Sequence, residues 1–389
     1  MSNKGKQNIE PKLRFPMFRN SHGWEEKRVG EIFKVTRGEV LSMVLVNNVK
    51  TSQTPYPVYS SQTKNNGLSG FYSDYLYENA ITWTTDGANA GDVNYRAGKF
   101  YCTNVCGVLL NSEGYANTFV AAMLNNITKK HVSYVGNPKL MNGVMSKIIM
   151  PLPTLEEQQK IADCLSSINE LITAESKKFD ALNTFKKGLM QQLFPAEGET
   201  LPKLRFSEFQ NNSEWEEKTL SKLCTLQAGK FIEASEIYKE NKQDLYPCYG
   251  GNGLRGFVKS YTHTGTYPLI GRQGALCGNI NIGRESFYAT EHAIVVTAKQ
   301  KVNVTWLFYQ LIRLNLNQYA TGQAQPGLSV TVLDKVYSTI PRNLIEQQKI
   351  AACLSSIDEL ITVQSKKIEL LKNHKKGLMQ QLFPTMSEL

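Results

Sequence analysis

The 389-residue sequence predicts an α+β chain written twice. Two α/β domains are expected, joined by two long helices that pair as an antiparallel coiled coil with pseudo-two-fold symmetry. Three observations predict this. Residues 157–195 return at 346–384 with 29 of 39 positions matching, without a gap, at a constant offset of 189. PKLRF at Pro11–Phe15 returns at Pro202–Phe206, and WEEK at Trp24–Lys27 returns at Trp215–Lys218. Between the long repeats, aromatic and β-branched stretches are broken by Gly, Asn and Pro, as strands and turns require. The expected boundaries are 1–150 and 201–338 for the α/β domains, and 151–200 and 339–389 for the helices. A chain made of two copies of one unit suits a ligand that presents two sites at a fixed spacing, and duplex DNA is the commonest such ligand.

The helices follow from period. Apolar residues fall at Ile161, Leu165, Ile168, Ile172, Phe179, Leu182, Leu189 and Leu193, in steps of three and four, with Glu175 and Lys186 as polar breaks. The second copy repeats the seam at Ile350, Leu354, Ile357, Ile361, Ile368, Leu371, Leu378 and Leu382, with breaks at Gln364 and Lys375. Pro153-Thr154 and Pro341 precede the helices, and Phe194-Pro195 and Phe383-Pro384 end them. Roughly 35 residues at about 1.5 Å each give rods of order 50 Å. Two rods of near-identical seam should pair with each other and act as a spacer. The alternative is two separate amphipathic helices, each packed on its own domain.

The α/β domains answer each other segment by segment. Tyr56-Pro57-Val58-Tyr59 matches Tyr246-Pro247-Cys248-Tyr249, and Asn66-Gly67-Leu68-Ser69-Gly70-Phe71 matches Asn252-Gly253-Leu254-Arg255-Gly256-Phe257. Asp86-Gly87-Ala88 aligns on Gln273-Gly274-Ala275, and Phe100-Tyr101 on Phe287-Tyr288. The scaffold positions persist while the polar residues between them change. Ser60 to Asn65 stands against Gly250-Gly251, and Thr85-Asp86 against Arg272-Gln273. One fold with two sets of hydrogen-bonding side chains suits two modules that read different sequences.

The formal charge of +10 and pI near 9.1 favour an anionic partner. Residues 1–150 carry +7 and 201–338 carry +4, whereas 151–200 carry −3 and 339–389 carry +2. The positive charge therefore belongs mainly to the α/β domains. Seven cysteines form no CxxC pair and no Cys/His array at zinc spacing. Cys164 and Cys353, at equivalent repeat positions, read as buried small hydrophobes. No signal-peptide core and no apolar run of membrane-spanning length is visible, so a cytoplasmic protein is expected. No GxxxxGK[ST], HExxH or Asn-Pro-Pro-aromatic motif is present, and the five histidines are scattered. Gly251-Asn252-Gly253 reads as a turn, and the Glu-Glu-Lys runs at 25–27 and 216–218 as solvated faces. The residues point to a binding protein with no catalytic, cofactor or metal site of its own.

Two variable α/β domains, each followed by a helix of the pattern PLPTLEEQQKIA…LMQQLFP, resemble the specificity subunit of type I restriction-modification enzymes. The resemblance covers almost the whole chain and is strongest at Pro151–Pro195 and Pro341–Pro384. Leu269 to Ala275 looks like a strand-and-loop element of that family's target-recognition domains. The resemblance implies that each such domain reads one half of a bipartite double-stranded DNA target. It also implies that the helices dock two modification subunits, with restriction subunits in the full complex. Methyl transfer with S-adenosylmethionine and cleavage with ATP and Mg²⁺ would belong to those partners, not to this chain. Trp83 to Gly87 replaces the arginine-bearing loop in the first domain, so its recognition chemistry should differ.

DNA contact has its own physical candidates, since Arg, Asn and Gln side chains can each make paired hydrogen bonds to a base edge. In the first domain they are Lys64, Asn65, Asn66, Thr85, Asp86 and Arg96, with Asn137 and Lys139 on a proline turn offering a phosphate contact. In the second they are Arg255, Arg272, Gln273, Arg284, Gln323 and Gln325. Tyr59 and Tyr249, at equivalent positions, could pack on sugar or thymine methyl groups. Each could instead be a solvated loop side chain. Two rival functions are a single-chain nuclease or methyltransferase, which an activity assay of the purified chain would reveal, and a helical scaffold, which would show no sequence-specific DNA affinity.

Overall fold

The computed structural model describes residues 9–61, 65–274, 276–322 and 326–384. The chain divides into two compact units, residues 1–176 with 367–389, and residues 177–366. Each unit thus holds one α/β domain together with one segment of each long helix.

In unit 1 the elements run β1 (Glu25–Arg28), α1 (Val29–Ile32), β2 (Lys34–Arg37), β3 (Tyr56–Tyr59), β4 (Leu68–Tyr72), β5 (Tyr77–Thr84), β6 (Val93–Cys102), β7 (Cys106–Leu110), α2 (Thr118–Ile127), α3 (Asn142–Met145), β8 (Ile149–Leu152) and the start of α4 (Leu155–Leu193). Six strands form one sheet in the order β2-β7-β5-β6-β3-β4, and β1 pairs with β8 in a separate ribbon. The exposed Glu25-Glu26-Lys27 run is the solvated strand of that ribbon. Asn117 caps α2 by accepting from the Val120 amide.

Unit 2 completes α4 and continues β9 (Glu216–Thr219), α5 (Leu220–Leu223), β10 (Cys224–Ala228), β11 (Tyr246–Gly250), β12 (Gly253–Val258), β13 (His263–Thr264), β14 (Tyr267–Gly271), β15 (Ile280–Gly283), β16 (Ser286–Ala289), β17 (Ala293–Ala298), α6 (Val304–Arg313), α7 (Val330–Leu333), β18 (Tyr337–Ile340) and the start of α8 (Leu344–Leu382). Eight of its strands form two four-stranded sheets, β10-β17-β14-β15 and β12-β11-β16-β13, and β9 pairs with β18 in a separate ribbon. The two sheets are the six-stranded sheet of unit 1 cut across the middle. The cut falls where unit 1 already bends: Glu285 (φ 57°) stands at the position of Gly98 (φ 68°), between β15 and β16. In unit 1 the neighbouring strand absorbs the same bend as a register shift between Glu78 and Ala80.

The helical seam is as its period predicts. All sixteen seam positions are buried or half-buried. Within unit 1, Ile161 and Leu165 share a core with Leu382 and Phe383, while further along α4 Glu175 pairs with Lys367. Within unit 2, Leu193 and Phe194 share a core with Ile350 and Leu354, while Lys186 pairs with Asp358. In each unit the α8 partner moves backward as α4 moves forward, so the pairing is antiparallel. The polar breaks Glu175 and Lys186 are ion-pair positions, and Gln364 is buried at 5% exposure.

The long repeats persist because each of their ends is a structural contact. Arg14 of the first PKLRF clamps Glu157 with two hydrogen bonds, Nε to Oε1 and Nη2 to Oε2, both 2.8 Å. The remaining donors reach the carbonyls of Ser21 and His22. Arg205 of the second PKLRF repeats this on Glu346 at 2.8 and 2.9 Å, with Asn212 and Ser213 as carbonyl partners. The Trp215 indole adds a third donor to Glu346. The carboxylate hydrogen bonds hold the Arg14 guanidinium firmly protonated, its pKa raised against the opposing effect of burial. The Leu-Phe-Pro ends are anchors too. Phe383 stacks on Phe119 at 5.3 Å in unit 1, and Phe194 packs on Trp215 and Trp306 at 6.0 and 6.2 Å in unit 2.

The seven cysteines are all free thiols. Cys164 and Cys353 are half-buried rather than buried, and Cys353 lies against the unit 2 core. Burial raises the thiol of Cys106 to about 11 and that of Cys248 to about 11, as expected of small core residues. Among the described residues, no helix is long and apolar enough to cross a membrane, and no group of three or more His, Cys, Asp or Glu could hold a metal ion.

Candidate nucleic-acid interface

The two units build the same loop pair from different residues. In unit 1, β5 runs into Thr85-Asp86-Gly87, and a short loop closed by Ser133 and Lys139 lies beside it. The Gly87 amide donates to the Pro138 carbonyl and the Leu140 amide to the Thr85 carbonyl, both at 2.9 Å. In unit 2, β14 runs into Arg272-Gln273-Gly274, and the loop closed by Thr321 and Gly327 lies beside it. The Gly274 amide donates to Pro326 and the Leu328 amide to Arg272, again at 2.9 Å. Gly87 (φ 92°) and Gly274 (φ 87°) occupy the left-handed region, where a side chain would be strained. Pro138 and Pro326 are therefore equivalent, which places Lys139 of the first domain in register with Gly327 of the second. Sequence comparison missed this match, because the two loops share only the proline and the leucine two residues after it.

The first domain's candidates come together in part. Thr85 is buried, with Oγ1 2.6 Å from Asp86 Oδ2 and 2.9 Å from the Val105 carbonyl. Lys139 Nζ stands 3.9 Å from Asp86 Oδ1, and Asn137 is exposed on the same loop. The result is an oriented carboxylate with a cation beside it. Asn65 and Asn66 are exposed and both left-handed, at φ 51° and 53°. Arg96 is held inside the domain. It is 8% exposed; Nε donates to Thr82 Oγ1 at 3.0 Å and Nη2 to the Asn66 carbonyl at 2.7 Å. Its guanidinium lies 3.7 Å over the Tyr59 ring. Burial lowers its pKa. Through its bonds to Thr82 and the Asn66 carbonyl, Arg96 braces the turn that displays Asn65 and Asn66, and Tyr59 is the half-buried platform beneath it. Lys64 lies outside the described residues.

The second domain opens a cleft of about 470 Å³ lined by Gly250 to Arg255, Gln273, Gly274 and His292. Its glycine floor replaces the polar loop of the first domain. Thr103 Oγ1 donates to Ser60 Oγ at 2.9 Å in unit 1. At the equivalent place Gly250 supplies no hydroxyl, and the buried Thr290 Oγ1 has no hydrogen-bond partner among the described residues. Arg255 and Gln273 are exposed on the cleft walls. Arg272 is half-exposed and leans toward the Glu291 carbonyl, 3.5 Å from Nη1. Arg284 is exposed at the turn between β15 and β16 and does not line the cleft. Tyr249 packs edge-on against Phe287 at 5.7 Å and is half-buried, the counterpart of Tyr59. Gln323 and Gln325 lie outside the described residues. The sequence reading also passed over Tyr134 and Val135, 67% and 92% exposed at the tip of the unit 1 loop.

The family model described as "Type I restriction modification DNA specificity domain" matches twice, at residues 21–184 and 212–373. The chain belongs to that family. Each match takes in one α/β domain and the helix that follows it, which is the repeat unit seen in the sequence. The chain is 45% identical over 148 residues to the EcoprrI specificity subunit of Escherichia coli, a match that covers 38% of this chain and 37% of that protein. It is 24% identical over 407 residues to the MjaVIII specificity subunit of Methanocaldococcus jannaschii, covering 94% of each. Among solved structures, the S subunit of a type I restriction-modification system from M. genitalium matches with a TM-score of 0.71 at 18% identity, over 97% of this chain and 100% of that one. That likeness carries the fold: two α/β domains with two long helices.

Proposed function

We propose that this chain is the DNA sequence-specificity subunit of a type I restriction-modification complex, in which each α/β domain reads one half of a bipartite target. The observation that carries the reading is one loop pair built twice with opposite chemistry. Unit 1 offers Asp86, an acceptor suited to the amino group of cytosine or adenine; unit 2 offers Arg255, Arg272 and Gln273, donors suited to guanine and adenine edges. Two different half-sites follow. The chain is non-catalytic in this reading. Its helices dock two modification subunits that use S-adenosylmethionine, and restriction subunits that use ATP and Mg²⁺ complete the assembly in the cytoplasm.

Arg272 gives the sharpest test. An arginine that grips guanine N7 and O6 contributes about 1–3 kcal/mol at one base pair. Arg272→Ala, assembled with modification subunits, should lose that much on the cognate target and become indifferent to the base at one position of one half-site. Equal loss on every sequence, with a shallower salt dependence, would make Arg272 a backbone contact instead.

A further inference from the structure

The two helical repeats differ at ten positions, and two of these differences meet in one groove of unit 1. In unit 2, Lys186 of α4 pairs with Asp358 of α8, and the Tyr309 hydroxyl donates to the same carboxylate at 2.7 Å. The repeat places Lys375 and Asn169 at the corresponding positions of unit 1. There the carboxylate is an amide, and no acidic residue replaces it. Lys372 stands where α4 has Asn183. Both changes raise the charge. Lys12, Lys372, Lys375 and Lys376 line a cleft of about 900 Å³ in unit 1. Its apolar wall is formed by Ile172, Met379 and Phe383, and no carboxylate lines it among the described residues. The four lysines beside Asn169 sum to +4, against +2 for Lys203, Asn183, Lys186, Lys187 and Asp358 in unit 2.

We propose that this cleft docks an acidic amphipathic helix of a partner protein, and that unit 1 alone carries the site. The lysines call for carboxylates, and the apolar wall calls for an apolar helix face. A DNA backbone would satisfy the lysines but leave the apolar wall unmatched. In unit 2 the ion pair with Asp358 already neutralises the equivalent lysine. The proposal rests on the groove's chemistry and stands whether or not the chain reads DNA.

The two repeats supply their own variants, because each substitution already exists in the other copy. The probe is a fluorescent synthetic helix with leucines at i, i+3, i+4 spacing and glutamates elsewhere, titrated into the full chain. A twin with lysines for glutamates and a random-sequence duplex serve as comparisons. The wild-type chain should bind one acidic helix and not its basic twin. N169D/K372N, which rewrites the groove as unit 2 has it, should bind about tenfold more weakly, as expected for two altered charge contacts. N183K/D358N should raise the stoichiometry from one to two. Failure of the acidic helix to outbind its twin, or affinity unchanged by N169D/K372N, would overturn the proposal. So would a random duplex that competes for the groove and weakens with the same exchange, since the site would then be a DNA-backbone patch.

Discussion

Glu346→Ala should destabilise unit 2 by about 3–5 kcal/mol, the loss typical of a buried ion pair stripped of one partner. Glu346 is 1% exposed and accepts two hydrogen bonds from Arg205 and one from Trp215. The alanine variant would leave a guanidinium largely buried and uncompensated, with the Trp215 indole also deprived of its acceptor. Denaturant unfolding of the full chain, read at the transition of unit 2, measures the loss. A double change, Arg205→Met with Glu346→Leu, should recover most of it, because it removes both charges together. A loss below about 1 kcal/mol for Glu346→Ala would mean that water reaches the pair.

Phe383→Ala should cost unit 1 about 3–5 kcal/mol, since it empties a core position at the end of α8. Phe383 is 4% exposed and stacks on Phe119, which itself meets Trp24 edge-on at 5.5 Å. Amide exchange should accelerate in unit 1 while unit 2 keeps its protection. Phe194→Ala should do the reverse, because Phe194 plugs the unit 2 core. If either substitution loosened both units equally, the anchors would not be local to the cores in which they sit.

What the sequence disclosed, it disclosed through period and repetition. The heptad seam could be read directly because a helix writes its buried face every three or four residues, and Ile161, Leu165, Ile350 and Leu354 are all buried. The reason for the repeated PKLRF could not be read, because Arg14 and Glu157 are 143 residues apart. The sequence shows that both motifs recur, not that they touch. The packing of Arg96 was hidden for a similar cause. Its donor chemistry suits a base, but Thr82 and the Asn66 carbonyl use it inside the domain, and only packing decides which. Asp86 and Lys139 were separate suggestions until the backbone bridge between them put both on one edge. The split of one sheet into two was hidden as well, since Glu285 in a left-handed conformation announces itself only in the backbone.

The most direct measurement of the central claim is methylation mapping in cells that carry this chain with its partner subunits, repeated after residues 20–150 are exchanged for those of another specificity subunit. The wild type should give one bipartite motif, two short half-sites separated by unspecified bases. The exchange should replace one half-site and leave the other, with unit 2 reading as before. A motif that changes in both halves, or a map with no motif that depends on this chain, would contradict the account.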